Sequence, residues 1–289
     1  MTHTTGARRP APDAPAPDAP DRPALAHPIG ERRFGRVNWL GTYTLAEREC
    51  RRFLNIWRQT LLAPAVTAAL FLVVFSLAIG PTRPDVMGVS FLQFLAPGLA
   101  MMTVIQQSFA NTSSSLVVSK VQGNIVDTLM PPLSAGELAA GYIAGGIARG
   151  LFVGLPIIAA IVLFLGTGLA HPLWVLVFLA LGGAFLGGLG VVTGIFATKF
   201  DQTAAITNFL VTPLSFLSGT FYSVEAVPGG MGVVLHWNPV FYLIDGVRHG
   251  VLGTSDSSPW LGLAICSTAT AAVLALCWYW FRIGYRLKP

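Results

Sequence analysis

The sequence is short of charge. Only 11% of its 289 residues are Asp, Glu, Lys or Arg, against 53% hydrophobic residues. A soluble globular domain carries about 25% charged residues. This shortage excludes a soluble domain and a wholly disordered chain, and leaves an integral membrane protein. Thiols are scarce as well. Cys50, Cys266 and Cys277 fit no metal-ligand spacing, and Cys266 and Cys277 share one apolar run too far apart to bridge, so all three read as free thiols. A phosphate-binding loop is missing, because none of Lys120, Lys199 and Lys288 follows a glycine. Any nucleotide that drives the protein is therefore bound by another chain, and this chain is expected to hold no cofactor or metal of its own. No enzymatic constellation stands out: the histidines lack metal-binding spacing and no GxSxG is present.

What charge there is lies at the ends. Ten of the 18 Lys and Arg fall in the first 58 residues and three in the last eight, within a net charge of +5. Basic ends around apolar spans set membrane orientation, so nucleic acid is not an expected partner. Residues 1–37, rich in Ala, Pro and Asp, can build no core and read as a disordered tail. Residues 43–58 suit an amphipathic helix in the membrane interface. At 100° per residue, Ala46, Cys50, Phe53, Leu54 and Trp57 share one face, and Arg48, Arg51, Arg52, Asn55 and Arg58 the opposite one.

Six apolar spans follow, at residues 61–79, 91–118, 138–165, 173–197, 203–221 and 260–281. The first, at about 1.5 Å per residue, already rises about 28 Å, enough for the hydrocarbon core. With the N-terminus in the cytoplasm, inside segments hold 15 basic residues and outside segments only Arg83 and Arg248. Both termini are therefore expected inside. The semi-apolar segment 224–237 is too short to span and suits a re-entrant helix dipping in from outside. None of the six spans contains Asp or Glu, which argues against the alternative of a stand-alone secondary transporter or channel, since ion coupling usually needs an embedded Asp, Glu or His.

Arg149 is the one charge deep in a span. A central Arg costs about 2.5–3.5 kcal/mol on insertion scales, so it must face a partner helix, a polar cavity or a dimer seam. Capping the carbonyls of a neighbouring broken helix is favoured over contact with an anionic substrate. Gln106, Gln107 and Asn111 in the second span, and Asn208 and Thr212 in the fifth, should point away from lipid, either bonding between helices or lining a path. Pairs such as Gly146/Gly150 and Gly183/Gly187 permit close helix packing. Asp245, Arg248 and His249 read as a helical turn with an internal ion pair rather than as an enzyme site.

Three stretches resemble the membrane subunit of ABC-2 type exporters, the class that includes drug-resistance, nodulation-factor and polysaccharide export permeases. They are DTLMPPLSAGEL (127–138), KFDQTAAITNFLVTPLSFLSGTFYSVEAVP (199–228) and NPVFYLIDGVRHGVLG (238–253), within a match of about residues 40–287. The resemblance implies an all-α integral membrane protein with a six-helix, type V exporter-like permease fold, an N-terminal interface helix and an extracellular re-entrant segment. It implies a bacterial inner-membrane location, a second permease copy in a homodimer, and a separate ATPase subunit that binds ATP and Mg. The 119–137 loop would couple to that ATPase through Lys120, Gln122, Gly123, Asp127, Thr128, Leu129, Pro131 and Pro132. Arg48, Arg51, Arg52 and Arg58 would lie on the interface helix, and Gln106, Gln107, Asn111, Asn208, Thr212 and Phe216 would line the path. The cargo is not named by composition or by resemblance.

Overall fold

The computed structural model describes residues 37–78, 84–223 and 235–286. The Pro-rich tail, most of the expected re-entrant segment (224–234), Arg83 and Lys288 lie outside these residues. The described chain is helical, apart from one isolated bridge between Val86 and Val89.

Helix α1 (Trp39–Leu54) starts at Asn38, whose side chain accepts from the Gly41 amide at 2.9 Å. It begins four residues earlier than the amphipathic pattern predicts and stops at Leu54. Asn55 and Ile56 form a turn, and α2 (Trp57–Ala78) then runs away. Arg58 therefore belongs to α2, which corrects the expected interface set. The helix also has three faces rather than two. Leu45, Glu49 and Phe53 are buried against the bundle, Trp39, Leu40, Tyr43 and Leu54 are exposed and apolar, and Arg48 and Arg51 take the remaining side. A two-face pattern cannot reveal that a helix resting on a protein surface buries a polar strip.

The core forms around α3 (Phe91–Val121), of whose 31 residues 21 are buried. Against it pack α5 (Ala135–Leu165) and α6 (Pro172–Phe196). Glycine makes the α3–α6 contact possible: a Cβ on Gly190 would sit 2.1 Å from Thr112 Oγ1 and 2.5 Å from the Phe109 carbonyl oxygen. In its absence Thr112 donates to the Gly187 carbonyl at 2.7 Å. Close small-residue packing here brings polar groups into bonding range. The short α4 (Ile125–Leu129) sits between α3 and α5, and Ser134 and Glu137 form a capping box that starts α5.

The fifth expected span is one continuous helical run with a π-helical turn inside it. It comprises α7 (Phe200–Ile206), a π-helical turn (Thr207–Val211) and α8 (Thr212–Leu217). The stretch from Pro239 folds as α9 (Pro239–Leu252), 11 of whose 14 residues are buried, and α10 (Pro259–Ile283) closes the bundle. Four of the described helices, α2, α5, α6 and α10, are long and apolar enough to cross a membrane. Helix α3 is as long as α5, but Gln93, Gln106, Gln107, Asn111 and the 112–115 hydroxyl run lower its hydropathy. It carries them because other helices, not lipid, surround most of it.

Candidate functional site

Where α1 crosses the bundle, side chains from α1, α3, α4 and α5 form one polar chain. Its outer end is α4. Thr128 is buried and accepts from Arg48 Nη1 at 2.9 Å, while Val126, Asp127 and Met130 face outward. The expected coupling residues thus separate into two groups. Asp127, Pro131 and Pro132 are exposed, whereas Thr128 and Leu129 turn toward the bundle, where Leu129 packs on the core beside Leu45 and Tyr142. Gln122 caps α3, Gly123 has a left-handed backbone (φ 73°) that ends the helix, and Lys120 still lies inside α3. Its ammonium donates to the carbonyls of Ile195 and Ala197 at the end of α6, favourable at a helix C-terminus.

Arg48 also donates to Tyr142 Oη at 3.3 Å and to Glu49 Oε1 at 3.1 Å. Glu49 is the hub of the chain and is 0% exposed. Ser115 donates to its Oε1 at 2.8 Å, and Arg52 faces its Oε2 at 3.4 Å as an ion pair without a well-formed hydrogen bond. Arg52 in turn bonds Ser114 Oγ at 3.1 Å, Asn111 Oδ1 at 3.0 Å and the Asn111 carbonyl. Arg149 approaches the same Asn111 oxygen at 3.5 Å and donates twice to Gln107 Oε1, at 3.1 and 2.7 Å. Its partners are therefore side-chain amides, not the carbonyls of a broken helix. Arg48 and Arg52 share one carboxylate while Arg149 has only amides, and Glu49 Oε2, Arg52 Nε and Asn111 Nδ2 are buried without a hydrogen-bond partner. A cavity of about 600 Å³ lined by Arg48, Arg51, Arg52 and Glu49 opens beside the chain.

The remaining path candidates are dispersed. Gln106 and Gln107 line a cleft of about 230 Å³ between α2 and α3, while Asn111 is sealed inside the polar chain. Asn208 is exposed on the π-helical turn beside Phe209, 84% exposed. Thr212 is half-buried, and Phe216 packs in an aromatic cluster with Phe71 and Phe221, centroids 6.2 and 5.4 Å away. A π-helical turn within a longer helical run often marks a functional position.

A scan against known families matches the ABC-2 type transporter model over residues 41–252. A search of curated proteins matches inner membrane transport permease YadH of Escherichia coli (strain K12), 36% identical over 252 residues, covering 86% of this chain and 98% of the relative. It also matches nodulation protein J of Rhizobium leguminosarum bv. viciae, 24% identical over 229 residues, covering 76% of this chain and 84% of that one. The chain belongs to the ABC-2 type transporter family. It is a multi-pass membrane permease of that family, and its apolar helices suit the class.

The geometry explains one of the ABC-2 stretches. In 127–138, Glu137 caps its own helix by accepting from the Ser134 amide at 2.6 Å, and its other oxygen accepts from the Asn38 amide at 2.6 Å. One carboxylate thus ties the start of α1 to the start of α5. Glu49 and Tyr142 are the functional candidates that sequence reasoning misses, while Glu137 lies in the 127–138 stretch and Ser115 in the 112–115 hydroxyl run. Glu49 carried a signal, as one of two acids among the arginines of residues 47–52. Tyr142 carried none, since it reads as an ordinary helix residue.

Proposed function

We propose that this chain is the membrane subunit of an ATP-binding cassette exporter in a bacterial inner membrane, coupled to a separate ATPase subunit and working as a homodimer. YadH, named an inner membrane transport permease, and nodulation protein J support the transport reading. The six spans would be α2, α3, α5, α6, the α7–α8 run with its π-helical turn, and α10. Both termini would be cytoplasmic, by the excess of basic residues on that side. The ATPase subunit would bind ATP and Mg, dock on the exposed face of α4 and move α1 through the Thr128–Arg48 contact. ATP-driven closure does work only if it binds two states of the bundle differently.

The observation that carries this reading is the bonded chain from α4 through Arg48, Glu49 and Arg52 to Arg149. A short helix with an outward face is thereby joined to side chains deep in the bundle. The test is purification of the C-terminally tagged chain from its native host in mild detergent. A stoichiometric partner with a Walker A motif, in a complex sized for two copies of each, is expected. Asp127→Lys should cut partner-dependent ATP turnover at least tenfold and leave the thermal midpoint within about 2 °C. A wild-type chain that purifies without an ATPase across several detergents sinks the reading.

A further inference from the structure

The cleft between α2 and α3 changes character along its length. Gln106, Gln107 and Thr103 form one end. Toward the other end lie Leu99, Met102 and Phe71, and Phe71 leads into an aromatic group of Phe75, Phe216 and Phe221. From Gln107 to Leu99 the rise along α3 is about 12 Å. The polar end has a cationic backing. Arg149 holds Gln107 Oε1 with two hydrogen bonds, which commits that acceptor and leaves the amide hydrogens of Gln107 as what it can offer. Behind it, Arg48, Arg52 and Arg149 stand against Glu49 alone, three positive charges to one negative. Arg149 has no carboxylate within ion-pair distance among the described residues.

An uncompensated guanidinium this deep is costly, and buried donors are normally matched by acceptors. In the cluster behind the cleft, Arg52 Nε and Asn111 Nδ2 are donors with none and Glu49 Oε2 is an acceptor without a donor, although none of the three lines the cleft itself. Surplus positive charge behind one end of the cleft, the free amide hydrogens of Gln107 at that end, and an aromatic lining toward the other match a single kind of molecule. We propose that the α2–α3 cleft binds an amphiphile with an anionic headgroup. The headgroup sits at Gln106 and Gln107 in the field of Arg149 and Arg52, and the tail lies along Phe71 and Met102. Arg149 acts as a positioning residue: it turns Gln107 into a donor and supplies the charge. The inference rests on the permease reading for its biological meaning, since such a molecule is either cargo or a resident lipid of the bilayer.

The test uses the purified full-length permease in a neutral detergent, titrated by native mass spectrometry with two probes of identical tail. One is a monoacylglycerol phosphate and the other a monoacylglycerophosphocholine. The phosphate probe should bind at least tenfold tighter. Arg149→Gln should weaken the phosphate probe at least fivefold and leave the choline probe unchanged, with Arg149→Lys restoring most of the loss. Phe71→Ala should weaken both probes alike, and Arg282→Gln, remote from the cleft, neither. Equal affinity for the two headgroups, or an unchanged Arg149→Gln, overturns the proposal, as does displacement of the probe by millimolar inorganic phosphate. Should Arg149→Gln fail to fold, Gln107→Leu reads the same end of the cleft. Stimulation of ATP hydrolysis in the complex by the phosphate probe marks cargo, and binding without stimulation marks a resident lipid; both uphold the site. A chain without an ATPase partner that still prefers the phosphate probe upholds the site and removes only the export reading.

Discussion

Arg248 and Glu49 are both sealed from solvent, yet their surroundings differ in kind. Arg248 lies in α9 against two carboxylates, Asp245 at 3.6 Å and Asp256 at 3.3 Å, and donates to the carbonyls of Gly219 at 2.8 Å and Phe94 at 3.4 Å. Asp245 also accepts from the Asp256 and Ser257 amides and the Ser257 hydroxyl. The ion pair expected within that turn is present, and it belongs to a network tying α9 to α3 and to the end of α8. Glu49 sits about 25 Å along α3 from there, at 1.5 Å per residue between Phe94 and Asn111. Its cluster has surplus positive charge and three buried atoms without hydrogen-bond partners. A saturated network holds one geometry, because any movement loses bonds. An unsaturated one has bonds left to make, which is what an element that changes state or receives a ligand requires.

This contrast can be broken from either side. The largest effect is expected at Arg248. Arg248→Ala leaves two buried carboxylates unpaired and should cost about 3–5 kcal/mol, read as loss of monodisperse protein in detergent and a steep fall in thermal midpoint. A near-wild-type midpoint would mean that the cluster is not a staple. Glu49→Gln should cost less stability, about 1–3 kcal/mol, while lowering transport-linked ATP turnover at least tenfold. If its stability loss matches that of Arg248→Ala, the two clusters are alike and the contrast fails. Ser134→Ala removes half of the capping box and should cost about 1 kcal/mol, visible as a small midpoint shift with turnover retained. The smallest change is expected from Glu47→Gln, which opens the exposed pair with Arg51. That pair should be worth under about 0.5 kcal/mol, and a larger shift would show that the whole α1 surface, not only its buried strip, is coupled.

Much of the helical layout was legible in the sequence, because long uncharged runs have few alternatives in a membrane. The bounds of α5, α6 and α10 fall within three residues of the hydropathy reading. Legibility failed where polar and apolar residues mix. Helix α9 read as an external tail, since Asp245, Arg248 and His249 raise its polarity; the burial of Asp245 and Arg248 depends on Asp256 and Ser257 from a later turn. The break after Leu54 was also hidden. A helix pattern runs through Asn55, and Phe53 anchors the turn there: its ring packs on Phe152, centroids 5.6 Å apart, and its carbonyl accepts from the Ile56 amide at 3.2 Å and the Thr60 hydroxyl at 3.3 Å. In the candidate site, the basic residues of α1 were visible as a set, but not that Arg48 and Arg52 turn inward around Glu49.

The sequence by itself determined the membrane class, the helical content and the lack of a phosphate-binding loop. Each follows from composition or from a motif that is present or missing along one continuous stretch. Only the tertiary structure decided which polar side chains meet. Glu49 touches Ser115, 66 positions away, and Arg48 touches Thr128, 80 positions away. Such pairings cross three helices, and their energy comes from desolvation and geometry that exist only once α1 lies against α3 and α5.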